Sequence, residues 1–295
     1  MSKWLLRIQL MGLLMVSASA TSSPLCATDD RGRKVCLDEP AGRIAALSPG
    51  ATELVYAAGA GNKVVAVVSW SDYPPEAKDI TSVGGHARLD LEALVALKPD
   101  LVVGWVTGNP SEQMDTLMDL GFPVFFIEPR DFEGISTAIE RLATLAGTEV
   151  EGNRVASAFR QGMTRLAAKY VDADPVPVFY QVWDQPLMTI NDEHLIGKVI
   201  SLCGGDNVFG ELPRLVPRIS REAVLAADPE AIVAGGMGEE NRHWLTAWQE
   251  FPDLTAVRRD NLFLVPPSLI QRPTPRMLEG SRIFCEKLDR ARNRR

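Results

Sequence analysis

The sequence predicts an α/β fold of two lobes with mainly parallel sheets, joined by one long rigid helix and leaving a cleft between the lobes. Three observations carry that expectation. Short apolar runs alternate with turn signals and helical patterns along most of the chain. The stretch E-A-L-V-A-L-K-P-D-L-V-V-G from Glu92 superposes without a gap on E-A-V-L-A-A-D-P-E-A-I-V-A from Glu222, as a structural unit repeated once per lobe would. Between these units, Val150 to Tyr170 is Ala-rich and free of Pro, and Val155, Phe159, Met163, Leu166 and Tyr170 recur near helical spacing.

The elements follow in chain order. Lys3 and Arg7 precede an uncharged run from Leu10 to Val16, and Ala18-Ser19-Ala20 closes it with the small residues of a signal peptidase site. Residues 1–20 therefore read as a signal peptide, and the mature chain begins near Thr21, exported and soluble. Cys26 raises lipidation as a rival, but Leu25 stands where a small residue normally precedes a lipid-modified Cys. Residues 21–41 read as a disulfide hairpin. The loop Asp30-Arg31-Gly32 puts glycine where left-handed backbone is wanted and sets Cys26 opposite Cys36. The four cysteines allow three pairings; export favours oxidation, the hairpin favours Cys26 with Cys36, and Cys203 with Cys285 then pair by default.

Residues 42–147 form the first lobe: strand Ile44 to Leu47, turn Ser48-Pro49-Gly50, helix from about Thr52 to Ala58, strand Val64 to Val68, then helix Leu91 to Leu97, turn Lys98-Pro99-Asp100 and strand Leu101 to Trp105. Residues 148–172 are the connecting helix, long enough at 1.5 Å per residue to run roughly 30 Å between lobes. A helix is stiffer than a loop, so large hinge closure is not expected. Residues 173–289 form the second lobe, in which Asp174-Pro175-Val176-Pro177 breaks the helix before strand Val178 to Val182, with a further strand at Leu262 to Val265. Residues 290–295 read as a frayed basic tail.

Composition narrows the function. With 295 residues, 46% hydrophobic and 23% charged, the chain is globular and large enough for two cores. Its formal charge of -7, from 31 basic against 38 acidic residues, leaves no basic field for nucleic acid. Catalytic motifs are scarce: no nucleophile elbow, zinc helix or phosphate loop is present, and His86, His194 and His243 are scattered, with His194 and His243 reading as surface or capping residues. No Cys/His cluster points to a metal, so neither a bound metal nor a cofactor is expected.

Trp70, Trp105 and Trp183 each sit at the C-terminal end of an expected strand, the edge where open α/β sheets bind ligands. Trp244 and Trp248, four apart, have the spacing of a buried helical face. Arg272 and Arg276 fall in S-L-I-Q-R-P-T-P-R on the same cleft edge, suited to carboxylate, phosphate or amide groups of a ligand. Glu92 and Glu222 follow the N-caps Asp90 and Ser220, so each complements its helix dipole and also offers a two-fold symmetric partner a matched handle.

R-I-A-A-L-S-P-G-A-T-E-L, S-W-S-D-Y-P-P-E-A, L-D-L-E-A-L-V-A-L-K-P-D-L-V-V-G-W followed by Gly108-Asn109, and C-G-G-D-N-V-F with S-R-E-A-V-L resemble the periplasmic cobalamin-binding proteins of vitamin-uptake ABC importers. The likeness spans nearly all of residues 42–288, and its broad pattern is shared with haem and ferric siderophore binders. It implies a monomeric binding component, not an enzyme, that carries cobalamin or a related corrinoid to a permease and its ATPase subunits, with haem or a ferric siderophore as the alternative ligand; outside the resemblance, an exported hydrolase using His86 beside Glu or Asp is the remote alternative function. It implies ligand contacts at Trp70, Trp105 and Arg272, permease docking through Glu92 and Glu222, and a Cys203–Cys285 disulfide. The chain departs from the pattern where His86, Met188 and Val216 replace aromatics and Ser268 replaces an acid; Trp183 refills part of the pocket, and His86 is a candidate axial ligand to a chelated metal.

Overall fold

The computed structural model describes residues 24–85, 87–236, 238–239 and 242–295. The leader read at residues 1–20 and His86 lie outside them. The hairpin comes first: β1 (Leu25–Thr28) pairs antiparallel with β2 (Lys34–Leu37) in a register that places Cys26 against Cys36, and the two are joined as a disulfide. Gly32 supplies the left-handed residue of the turn, with φ of 77°. Asp30 N–H donates to the Phe126 carbonyl at 2.9 Å and Asp30 pairs with Arg141 at 2.8 Å, so the hairpin is stitched to the first lobe.

That lobe contains β3 (Ile44–Ala46), α1 (Pro49–Ala57), β4 (Val64–Ala66), a small antiparallel pair β5 (Gly84–Gly85) and β6 (Arg88–Leu89), α2 (Leu91–Ala96), β7 (Leu101–Trp105), α3 (Ser111–Asp119), β8 (Val124–Ile127) and α4 (Phe132–Ala146). Its four-stranded sheet runs β4-β3-β7-β8, all parallel. Apolar side chains on both faces explain the continuous runs rather than alternation: Leu101, Val102 and Val103 are fully buried. The helix α1 starts earlier than the sequence pattern placed it, because Ser48 caps it through its hydroxyl to Ala51 N–H at 3.0 Å and Pro49 fits the first helical turn.

The second lobe repeats this plan. It holds β9 (Val176–Gln181), α6 (Leu195–Leu202), β10 (Gly205–Asn207), α7 (Arg221–Ala227), β11 (Ala231–Ala234), α8 (His243–Thr246), α9 (Thr255–Arg258), β12 (Leu262–Leu264), α10 (Pro267–Ile270) and α11 (Met277–Arg292). The parallel sheet order β10-β9-β11-β12 matches that of the first lobe position for position. Strand β9 starts at Val176, two residues before the expected strand. Pro177 is tolerated at its second position, where its carbonyl still accepts from Glu230 N–H at 2.9 Å.

Between the lobes runs α5 (Glu149–Tyr170), 22 residues long. Gly147, left-handed at φ of 64°, turns the chain out of α4, and α5 then packs back on α4 before reaching α6 and α11. Two close approaches require glycine: a Cβ on Gly152 would stand 2.3 Å from the Ala143 Cβ, and one on Gly162 2.3 Å from Leu278 Cδ2. Phe159, Met163, Leu166 and Tyr170 are buried in a single apolar cluster that also contains Leu54 and Ile139 of the first lobe and Tyr180 and Phe284 of the second. The lobes thus share one core through the helix, which opposes hinge motion. Cys203 and Cys285 are disulfide-bonded inside it.

Two expectations change. Residues 290–292 are the last turn of α11, and Arg292, Arg294 and Arg295 donate to Asp289, to the Asp260 carbonyl and to Glu230, so the C-terminus is tied down by carbonyl and carboxylate acceptors rather than frayed. Trp244 and Trp248 do share an apolar cluster, but unequally: the helix tightens to a 3-10 turn at Ala247–Glu250, Trp248 is buried, and Trp244 is only half-buried against the same cluster, where it also meets Trp183 with ring centroids 5.8 Å apart.

Candidate functional site

The carboxyl ends of the first-lobe strands open into a concave hollow of about 320 Å³. Ser48, Pro49, Gly50 and Ala51 after β3, Trp70 beyond β4, Trp105 at the end of β7, and Ile127, Glu128 and Pro129 at the end of β8 line it. Gln271, Arg272 and Pro273 close it from the second lobe. The volume lies within the range of small-molecule sites, and its lining is mostly apolar with a few polar groups.

Local chemistry sets each aromatic. Trp105 lies over Gly108, where a Cβ would stand 1.8 Å from the indole ring, which is why glycine follows. The buried Asn109 side chain accepts from Trp105 N–H at 2.6 Å and donates to the Leu47 carbonyl at 2.8 Å, tying the ends of β3 and β7 together. Trp70 is 79% exposed and has φ of 68°, a left-handed conformation that costs a bulky residue on the order of 1–3 kcal/mol. Its carbonyl accepts from Arg272 Nη2 at 3.2 Å. A large apolar side chain held exposed on strained backbone is poorly explained by packing.

Arg272 is the polar centre. Its Nη1 donates to Glu53 at 2.9 Å and to Asp72 at 2.7 Å. Burial pulls its proton affinity down, but those two carboxylates outweigh burial and raise it overall. Sequence reasoning did not single out Glu53. Its only signal was a carboxylate among the apolar residues Leu54 and Val55.

Trp183, Met188 and Ser268 do not line this hollow. Trp183 follows β9 on the same carboxyl edge of the second sheet, 40% exposed, with its indole N–H on the Gln185 carbonyl at 3.1 Å. A backbone bridge pairs it with Met188, which bridges on to Arg218; Leu215 and Val216 are exposed nearby in sequence. Ser268 donates through its hydroxyl to Glu239 at 3.0 Å and accepts from Arg276 Nη2 at 3.2 Å. The sequence pattern read Trp244 only as part of a buried face and did not single out Glu239.

Glu92 and Glu222 are both exposed, in the first turns of α2 and α7. Asp90 caps α2 through Ala93 N–H at 3.0 Å and Ser220 caps α7 through Ala223 N–H at 3.2 Å. The Glu222 carboxyl is held below its usual range by its own backbone N–H first and then by the Ser220 hydroxyl. Among the described residues no group of three or more His, Cys, Asp or Glu is placed to hold a metal ion. No described helix is long and apolar enough to cross a membrane.

Comparison with known proteins yields concordant findings. A family model described as periplasmic binding protein matches residues 44–269. The vitamin B12-binding protein of Vibrio cholerae serotype O1 is 36% identical over 249 residues, covering 84% of this chain and 90% of that protein. The crystal structure of the periplasmic vitamin B12-binding protein BtuF of Vibrio cholerae superposes with a TM-score of 0.78 at 36% identity, over 86% of this chain and 98% of that one. The periplasmic haem-binding protein HutB of Vibrio cholerae superposes at 0.74 with 22% identity, over 83% and 98% of the chains, a likeness of fold alone.

Proposed function

The chain belongs to the periplasmic binding protein family, and from that membership we propose that it is the extracytoplasmic binding component of an ABC importer for cobalamin or a related corrinoid. The observation that carries this reading is the presence of Trp70 and Trp105 in one preformed hollow that Arg272 closes from the second lobe. Two indole faces bury the edge of a flat, bulky chelate; each aromatic covers roughly 150–250 Å², worth a few kcal/mol at about 25 cal/mol per Å². The second-lobe aromatics Trp183 and Trp244, with Met188, extend an apolar rim toward the rest of such a ligand, and Ser268 offers polar contacts there. The share of sequence identity with a vitamin B12-binding relative supports corrinoid over haem.

In this reading the protein carries its ligand and does no chemistry on it. It works as a monomer in the periplasm after removal of residues 1–20, and no cofactor or resident metal takes part. Glu92 and Glu222 meet the permease. In parallel α/β units a crossover helix runs back against the strands it joins, and in this reading that puts Glu92 and Glu222, in the first turns of α2 and α7, toward the carboxyl edges of their sheets. A permease gripping both acids would face the ligand directly.

Titrating cyanocobalamin and haemin into the wild type and Trp105→Ala, followed by tryptophan fluorescence and the visible spectra of the chromophores, tests the ligand. Cyanocobalamin should bind one per monomer, quench the indoles and lose affinity in the variant. Tighter binding of haemin than of cyanocobalamin to the wild type would overturn the assignment.

A further inference from the structure

We propose that Glu53 is a positioning and specificity-setting residue behind the cleft: with Asp72 it neutralises Arg272, and it holds Arg276 beside them, so that the Arg272 guanidinium lining the hollow selects uncharged hydrogen-bond acceptors over carboxylates. This rests on the binding role argued above and specifies the chemistry of the ligand groups that reach Arg272.

Glu53 lies on α1, the helix whose first residues line the hollow, and its side chain is 2% exposed. Its Oε1 accepts from Arg272 Nη1 at 2.9 Å and Arg276 Nη1 at 3.3 Å, and its Oε2 from the buried Thr274 hydroxyl at 2.8 Å. All three donors belong to the second lobe, so one buried carboxylate of the first lobe gathers the whole turn 272–276. The neighbouring first-lobe segment closes on the same turn. Asp72 takes Arg272 Nη1 at 2.7 Å, the Trp70 carbonyl takes Nη2 at 3.2 Å, and the Arg276 guanidinium lies 4.0 Å from the Tyr73 ring centroid. Thr52, beside Glu53, donates its hydroxyl to Ser71 at 3.1 Å and holds that segment to α1.

Two consequences follow. The cluster of Glu53, Asp72, Arg272 and Arg276 sums to zero charge, so Arg272 already holds counter-ions in Glu53 and Asp72. Of the five N–H groups on the Arg272 guanidinium, Nη1 spends both of its own on carboxylates and Nη2 one on Trp70. Among the described residues the Nε–H and one Nη2–H have no acceptor and are left to donate, which suits carbonyl oxygens of carboxamides. A free arginine would instead grip a carboxylate in a bidentate pair.

The test compares cyanocobalamin with its monocarboxylic acid derivative, in which one side-chain amide is hydrolysed, on the wild type, Glu53→Gln and Asp72→Asn. The wild type should favour the amide. Glu53→Gln should weaken cyanocobalamin by about tenfold or more, as expected for stripping one partner from a buried charged hydrogen bond, and should shift the amide-to-acid preference toward the acid. Asp72→Asn, at a half-exposed position, should shift preference the same way and remains usable where Glu53→Gln fails to fold. A purely structural loss would weaken both ligands equally and leave their ratio unchanged, which overturns the proposal. Hydrogen exchange on the ligand-free proteins separates the clamp from the ligand assignment: Glu53→Gln should speed exchange in 70–73 and 272–276 together. If the wild type binds no cyanocobalamin while this paired loosening occurs, the corrinoid reading fails and the clamp stands; if neither segment loosens, the clamp is wrong whatever the ligand.

Discussion

Lys98 and Asp228, 130 residues apart in the chain, share a left-handed backbone, with φ of 46° and 41°. Each ends the repeated helix, each is followed by a buried proline, Pro99 or Pro229, and each leads into an inner strand of its lobe, β7 or β11. Neither residue is a glycine, and both lobes bear the same steric cost at the same place. The sequence repeat is therefore a repeat of backbone geometry, which makes Glu92 and Glu222 equivalent in three dimensions.

Replacing both acids tests that equivalence. The Glu92→Ala/Glu222→Ala protein should bind the permease at least about tenfold more weakly, since charge pairs that become desolvated in an interface carry much of its affinity. Affinity for cyanocobalamin should stay within about twofold, because neither side chain lines the hollow. A transport assay beside a ligand titration of the same protein checks both; lost ligand affinity with intact docking would place these carboxylates on the wrong surface.

Trp70→Gly should separate function from stability. Glycine adopts φ of 68° at no steric cost, so relief of strain and loss of an exposed indole should leave folding stability unchanged or raised by about 1 kcal/mol. Ligand affinity should fall by about tenfold or more through lost aromatic contact. Denaturant midpoints and fluorescence titration report the two effects, and a drop in stability would show that the indole is structural.

Asn109→Ala should do the reverse of Trp70→Gly and damage both properties. Its side chain is 7% exposed, and its loss leaves the Leu47 carbonyl and the Trp105 N–H without a partner that each now has. A cost of about 1–3 kcal/mol is expected, together with weaker ligand binding from a less firmly held Trp105. Thermal unfolding with and without ligand measures both.

The two disulfides should contribute unequally. Cys203–Cys285 closes 82 residues of sequence and Cys26–Cys36 closes 10. Restriction of the unfolded chain predicts about 4.5 kcal/mol for the first and about 2.7 kcal/mol for the second. Paired Cys→Ser variants in urea should rank accordingly, with the hairpin variant fully able to bind ligand.

Acid should destabilise the second lobe through His194. Burial pulls its imidazole from the ordinary 6.5 down to about 4, and its Nδ1 must stay unprotonated to accept Ile196 N–H at 3.1 Å as the cap of α6. The unfolded chain therefore binds the proton first. This contribution is complete above pH 6.5 and is lost as pH falls toward 4, with a slope of at most about 1.4 kcal/mol per pH unit. His194→Asn keeps a capping oxygen without titrating, and should flatten the pH dependence of the urea midpoint over that range.

Much of this protein is determined locally and can be read from the chain alone. The turn chemistry of Asp30-Arg31-Gly32 decides the hairpin register, the apolar spacing from Val155 to Tyr170 decides the connecting helix, and the caps Asp90 and Ser220 start the repeated helices, because each rests on residues within a few positions of one another. Strand polarity likewise placed Trp70, Trp105 and Arg272 on one edge. What only the tertiary structure decided depends on partners distant in sequence. Glu53 meets Arg272 across 219 positions, and nothing around either residue announces the other. Trp244, half-buried against the cluster of Trp248, also meets Trp183 on another element. The C-terminal arginines found carbonyl and carboxylate acceptors at 174–175, 203–204, 230 and 259–260 that exist only once the lobe has folded. Spacing encodes which face of an element is apolar, but the pairing of charges between elements is settled by the packing that brings them together, where burial makes an unpartnered ion costly.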